Sequence, residues 1–120
     1  MIVNKPSNRI EKINSLLRQE LNSFLQKENF GKENPENDFV LSITKVETQR
    51  DLRGARVFYT ALPIRFRGTA KKFLESKAFS WQKLLGKRIV LKYIPRLKFV
   101  YDEGQENAMV VEKILSQLNK

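Results

Sequence analysis

A run of alternating apolar and basic residues late in the chain limits the possible folds more than any other feature. The run is KRIVLKYIPRLKFVYD, from Lys87 to Asp102. Side chains of a strand point alternately to its two faces, so the pattern predicts a strand over residues 89–102 with one apolar and one cationic face. The apolar parity holds Ile89, Leu91, Tyr93, Leu97, Phe99 and Tyr101, and the basic parity holds Arg88, Lys92, Arg96 and Lys98. Pro95 lacks a backbone N–H, which a strand tolerates at a sheet edge or a bulge.

Hydrophobic periodicity assigns the rest of the chain to helices and two further strands. Apolar residues recur at helical spacing over residues 8–26, from about 69 to Gly86, and over 108–118. Residues 39–47 and 55–61 alternate instead, and the polar segment TQRDLRG between them predicts a hairpin. The stretch from Ser76 to Ser80 weakens the middle helix, so a kink or a break into two helices stays open. The order α-β-β-α(α)-β-α predicts a two-layer α+β domain: a three-stranded sheet with helices on one face and a short C-terminal helix.

The composition indicates one globular domain over residues 1–120, with loose ends at 1–7 and 119–120. The chain is 41% apolar and 30% charged, and it has no cysteine and no histidine. It therefore has no disulfide framework, and it lacks the commonest general base and metal ligand. No apolar run approaches the roughly 20 residues that span a bilayer, and the N-terminus lacks the apolar core of a signal peptide. We expect a cytoplasmic protein without a membrane partner.

The net charge of +10 is concentrated in one part of the sequence. Residues 50–98 contain fourteen Lys and Arg against two acids, whereas the rest of the chain holds nine bases and eleven acids. Such a block predicts a polyanionic partner, with nucleic acid favoured over membrane, and contact with phosphates rather than sequence readout. The predicted RNA-binding residues are Arg50, Arg53, Lys71, Lys72, Lys77, Lys83, Lys87, Arg88, Lys92, Arg96 and Lys98.

Catalysis has little support in this sequence. An active site without histidine or cysteine would need carboxylates, a lysine or a hydroxyl. The candidates are Asp38, Asp51 and Asp102 near predicted strand ends, two of which could hold a magnesium ion for phosphodiester hydrolysis. The simpler interpretation makes them turn, cap or strand-end residues, so we expect no enzyme, no cofactor and no metal.

Three ordered blocks of the sequence resemble the ribosome-binding factor A family. They are RIEKINSLLRQEL at residues 9–21, LSITKVETQRDLRGARVFYT at 41–60 and LLGKRIVLKYIPRLKFVYDEG at 84–104. The resemblance implies a KH-like fold of the αββααβ type and a non-catalytic factor that binds rRNA of the small (30S) ribosomal subunit during its maturation. The chain departs from the family where an Ala-x-Gly bend is usual, since it has Lys77-Ala78-Phe79 there.

Two other functional classes remain open at this point. One is a protein–protein adaptor whose basic face binds an acidic partner, and the other is a metal-dependent nuclease that uses the three aspartates. The resemblance favours the ribosomal role, with the small subunit and its rRNA as partners of a monomeric protein.

Overall fold

A computed structural model of the chain describes residues 6–28 and 39–104. Two helices and three strands follow one another in the order α1, β1, β2, α2, β3, with a 3-10 turn at Ile64–Phe66. Their bounds are Pro6–Lys27 for α1, Val40–Thr48 for β1, Gly54–Leu62 for β2, Arg67–Arg88 for α2 and Arg96–Tyr101 for β3. The C-terminal helix predicted at 108–118 lies outside the described residues, as do residues 119–120 and most of 1–7. No described helix is both long enough and apolar enough to span a bilayer.

The three strands form one sheet in the order β1-β2-β3, with the middle strand paired on both sides. β1 and β2 are antiparallel and join Val40 to Leu62 and Thr48 to Ala55, which confirms the predicted hairpin. β3 runs parallel to β2, pairs Gly54 with Arg96, and is an edge strand. A parallel neighbour requires a long crossover connection, and α2 provides it.

Both helices pack on one face of the sheet, as predicted. The alternate residues of β2 that face the helices are fully or almost fully buried, from Ala55 to Ala61. Trp81 of α2 forms the centre of an aromatic cluster, with ring centroids 5.8 Å from Phe24 of α1 and 6.5 Å from Phe99 of β3. This cluster joins the two helices to the last strand, so the core is continuous across the layer.

Polar side chains of α1 hold that helix to the outer edge of β1. The Asn22 amide accepts from the Ile43 N–H at 2.9 Å and donates to the Ile43 carbonyl at 3.0 Å. Asn14 accepts in the same way from the Thr48 N–H at 2.9 Å. The register shifts between Ile43 and Lys45, which leaves Thr44 as an extra residue in β1. These bonds satisfy edge groups that would otherwise be unpaired, so the β1 edge is partly closed by α1.

The last strand is shorter than the sequence predicted. Residues 89–95 form no strand, and α2 continues two residues past Gly86 to Arg88 as one unbroken helix of 22 residues. The strand prediction for 89–95 is therefore wrong, because a parallel ladder extends only as far as its partner, and β2 begins at Gly54 opposite Arg96. Pro95 directly precedes the ladder and is fully buried, so its missing donor costs no sheet hydrogen bond.

Tyr59 is a buried residue of β2 whose side chain makes stability depend on pH. Its hydroxyl donates to the Arg67 carbonyl at 3.0 Å. Burial raises the pKa of Tyr59 above its ordinary value of 10.0, and nearby Tyr101 raises the pKa further. Because the unfolded state loses this proton at lower pH than the folded state, the stabilisation is present below pH 10.0 and is lost as the pH rises through the folded pKa.

We expect the free energy of unfolding to fall when the pH is raised from neutral to above 10.0. The Tyr59→Phe variant should lack this component of the fall and should be about 0.5–1.5 kcal/mol less stable at pH 7, from loss of the hydrogen bond. Urea unfolding of both proteins across the alkaline range measures the difference. The same alkaline loss in both proteins would assign it to other groups, such as the lysines.

Candidate nucleic-acid interface

A basic groove of about 840 Å³ is lined by residues of the β1–β2 turn, of the first part of β2 and β3, and of α2. Its cationic lining residues are Arg53, Arg56, Arg96 and Lys98, and its acidic ones are Glu47 and Glu75. All four cationic residues are exposed to solvent. Arg53, Arg96 and Lys98 belong to the predicted RNA-binding set, so the structure brings three predicted residues together at one place.

The β1–β2 turn and the parallel ladder bring these cations close together. The Asp51 carboxylate accepts from the Arg53 N–H at 3.0 Å, and Leu52 adopts a left-handed φ of 62° that closes the turn. The Arg53 carbonyl accepts from the Arg96 N–H at 2.9 Å, which places these two arginines side by side. One step further along, Arg56 and Lys98 are direct cross-strand partners. Positive charge therefore lies side by side at the starts of the two strands: Arg53 and Arg56 at the start of β2, and Arg96 and Lys98 at the start of β3.

The charges of the groove are only partly compensated within the protein. Glu47 binds Arg56 at 2.9 Å and also pairs with Lys45 at 3.5 Å. Among the salt bridges of residues 6–28 and 39–104, none involves Arg53, Arg96 or Lys98. Like charges that face one another across a ladder destabilise it, as Arg56 and Lys98 do here. An anion in the groove would relieve this repulsion, and phosphate oxygens are ligands that arginine binds in bidentate fashion.

The other predicted cations occupy three different places. Lys71, Lys72, Lys83 and Lys87 are exposed on α2, Arg50 lies in the β1–β2 turn, and Lys92 lies in the irregular segment after α2. Two cations bind acids of the α1 region instead. Lys77 pairs with Glu28 at 3.3 Å, and the Arg88 Nε donates to both carboxylate oxygens of Glu20 at 2.7 and 2.8 Å. The predicted single cationic strand face is thus wrong for Arg88, which is helical, and for Lys92, which is in a loop.

Three arginines and an aromatic residue that the structure places on the surface were not among the predicted residues. Arg56 lies in the groove, and its parity in β2, opposite to Ala55 and Val57, was the signal that could have identified it. Arg65 and Arg67 are exposed near the start of α2. Phe79 is 71% exposed on α2. Helical periodicity was the signal for it, because Phe79 lies off the apolar stripe that contains the buried Trp81 of the same helix.

Of the three aspartates considered for metal-dependent hydrolysis, the two that the structure describes lie far apart. Asp51 is held in the β1–β2 turn, while Asp102 follows β3 and accepts from the Thr44 hydroxyl at 2.5 Å. These two lie at opposite ends of the six-residue β3, or about 20 Å apart at the usual strand rise. Asp38 lies outside the described residues. Within the described part of the chain, no group of three acidic side chains is placed to hold a metal ion.

Comparison with known proteins identifies a family for this chain. The family model of ribosome-binding factor A matches residues 9–115. A ribosome-binding factor A from Coxiella burnetii is 31% identical over 114 residues, which cover 95% of this chain and 92% of the relative. One from Opitutus terrae is 29% identical over 115 residues, covering 95% and 90%.

Solved structures confirm the fold. The crystal structure of ribosome-binding factor A from Thermus thermophilus superposes with a TM-score of 0.64 at 20% identity, covering 77% of this chain and 94% of that one. A homology model of Thermus thermophilus ribosome-binding factor A, fitted into a cryo-EM map of its 30S complex, gives a TM-score of 0.57 at 23% identity, covering 72% and 88%. The predicted KH-like α+β fold is thereby confirmed, with the two middle helices merged into one α2.

Proposed function

Because this chain belongs to the ribosome-binding factor A family, we propose that it binds rRNA of the small ribosomal subunit and assists the maturation of that subunit. The convergence of Arg53, Arg56, Arg96 and Lys98 on one groove is the observation that carries the proposal. The relative fitted into a map of a 30S complex supports the choice of subunit. We propose further that the whole chain acts as one domain, as a monomer, in the cytoplasm.

A non-catalytic role is part of the same proposal. The chain has no histidine or cysteine, and Asp51 and Asp102 lie too far apart to share an ion. Binding alone can favour one rRNA conformation over another, since a ligand shifts a conformational equilibrium by its difference in affinity for the two states.

Co-sedimentation with purified ribosomal subunits tests the proposal. We expect the protein to sediment with free small subunits at low salt, to be released as salt is raised, and to be absent from large subunits. The logarithm of the binding constant should fall linearly with the logarithm of the salt concentration, because phosphate contacts release counterions. Recovery only in the subunit-free supernatant at low salt would contradict the proposal.

A competition experiment distinguishes rRNA binding from the alternative of a protein–protein adaptor. Poly-glutamate offers carboxylates at high density without phosphates or bases, whereas small-subunit rRNA offers both. We expect rRNA to displace the protein from subunits at far lower concentration than poly-glutamate does. Equal competition by both polymers would favour an acidic protein partner.

The maturation role needs a test in cells. In a bacterium that lacks its own family member, expression of this chain should reduce the pool of free small subunits and of unprocessed small-subunit rRNA. A chain that binds subunits but leaves both pools unchanged would retain the binding part of the proposal and lose the maturation part.

A further inference from the structure

Phe79 is exposed in the middle of α2, where it contributes little to the core. Its exposed fraction is 71%, whereas Trp81, two residues later, is 3% exposed and lies at the centre of the aromatic cluster. Phe73 also packs against the core. A single exposed apolar residue is ordinary on a protein surface, so the surroundings of Phe79 decide whether it has a role.

Those surroundings are polar, with a lysine on either side of the ring along the helix. At 100° per residue, Lys72 and Lys83 lie within about 40° of Phe79 around the helix axis, on the side opposite the core. The Lys83 Nζ is 4.5 Å from the centroid of the Phe79 ring. Ser76 and Gly86 lie on the same outer line, and Glu75 is the acid beside it. The ring therefore protrudes from a polar strip that carries two lysines and one glutamate instead of joining an apolar patch.

We infer that Phe79 is a stacking platform for an unpaired RNA base, with Lys72 and Lys83 binding the phosphates on either side. The inference rests on the proposed function and specifies the form of RNA that α2 recognises. The two lysines are eleven residues apart, which is about 16 Å along the helix. Stacking on an aromatic ring accepts any base, since every base has a π face, which agrees with the predicted contact to phosphates rather than sequence readout.

The chemistry of the strip favours RNA over a protein or an acyl chain. Apolar partners need a contiguous apolar surface, and the residues around Phe79 on this side of the helix are lysine, serine, glycine, glutamine and glutamate. A lysine beside an aromatic ring suits RNA, because the phosphate can bind the lysine while the attached base contacts the ring. Duplex RNA keeps its bases stacked inside and offers no face to the ring, so the partner is a single-stranded segment, loop or bulge.

Binding of the full chain to a mixed-sequence single-stranded RNA oligonucleotide tests this inference. We expect Phe79→Ala and Phe79→Leu to bind about 5- to 100-fold more weakly, while Phe79→Tyr, which keeps the ring, stays close to the original protein. The matched control is Val90→Ala, because Val90 is fully exposed but lies in the segment after α2. The salt dependence should be unchanged in all Phe79 variants, since no charge is removed. Thermal unfolding of Phe79→Ala should also be unchanged, which separates lost contact from lost fold.

Three results would overturn the inference. Phe79→Ala could bind single-stranded RNA as well as the original protein does, or Phe79→Leu could retain full affinity, which would show that no ring is needed. Alternatively, Phe79→Ala could weaken binding to whole subunits but not to naked RNA, which would assign the residue to a ribosomal protein. In each case rRNA binding through the basic groove would stand. If the original protein bound neither RNA nor small subunits, the proposed function would fail together with this inference.

Discussion

Replacing Phe99 by alanine is expected to lower the free energy of unfolding by about 3–5 kcal/mol. Phe99 is 3% exposed, lies in the middle of β3 and meets Trp81 edge-on, with the ring centroids 6.5 Å apart. Its removal would leave a cavity between the sheet and α2, which could close only if the surrounding strands and helices moved. Small domains are stable by about 5–15 kcal/mol in total, so this single change removes a large share. Urea unfolding measures this loss: the midpoint should fall while the m-value stays unchanged.

Lys98 is the matched control, because it adjoins Phe99 but points to the opposite face. Its side chain is exposed and lies across the ladder from Arg56. Lys98→Ala should change stability by about 0.5 kcal/mol or less, since surface substitutions rarely do more. Equal losses from the Phe99 and Lys98 variants would mean that β3 does not have one buried and one solvent-exposed face.

The faces of β3 could be predicted from the sequence, but its length could not. Leu97 and Phe99 are buried and Arg96 and Lys98 exposed, as alternation predicted. The same alternation continues upstream through residues 89–95, which form no strand. Parity is a local property, whereas the start of β3 depends on where β2 begins, and β2 is some 40 residues earlier in sequence. Pattern alone therefore overestimated the strand.

The sequence predicted that the candidate site is basic, but it predicted only partly which cations meet there. Arg53 and Arg96 meet because a backbone hydrogen bond joins the β1–β2 turn to the start of β3. These two segments are distant in the sequence. Arg88 and Lys77 were both predicted to bind RNA, yet they bind acids of the α1 region. A sequence shows how many cations a chain has, but tertiary packing decides which of them lack a carboxylate partner. Assignment of the eleven predicted residues to RNA contact stays a prediction.

Removing the four cations of the basic groove is expected to have the largest effect on binding. The variant carries Arg53→Ala, Arg56→Ala, Arg96→Ala and Lys98→Ala. The slope of log K against log salt is negative, and each phosphate contact adds about 0.7–0.9 to its magnitude. One contact corresponds to about 5- to 8-fold in affinity at 0.1 M salt. Arg53, Arg96 and Lys98 form no salt bridge among the described residues, so their three phosphate contacts give about 100- to 500-fold weaker binding to small subunits and a slope that is smaller in magnitude by about two to three. Arg56 should add less, because it already binds Glu47. Co-sedimentation across a salt series measures both quantities.

A charge-matched comparison separates the groove from general attraction. The pair Arg53→Ala with Arg96→Ala removes two charges from the groove, and the pair Lys77→Ala with Arg88→Ala removes two charges that already bind Glu28 and Glu20. Both pairs lower the net charge equally, so long-range attraction to RNA falls equally in both. The groove pair should bind about 25- to 60-fold more weakly, from the loss of two phosphate contacts. The α1-facing pair should lose little affinity, because its carboxylate partners already compensate those cations in the free protein. Equal losses in the two pairs would show that net charge, and not the groove, determines binding.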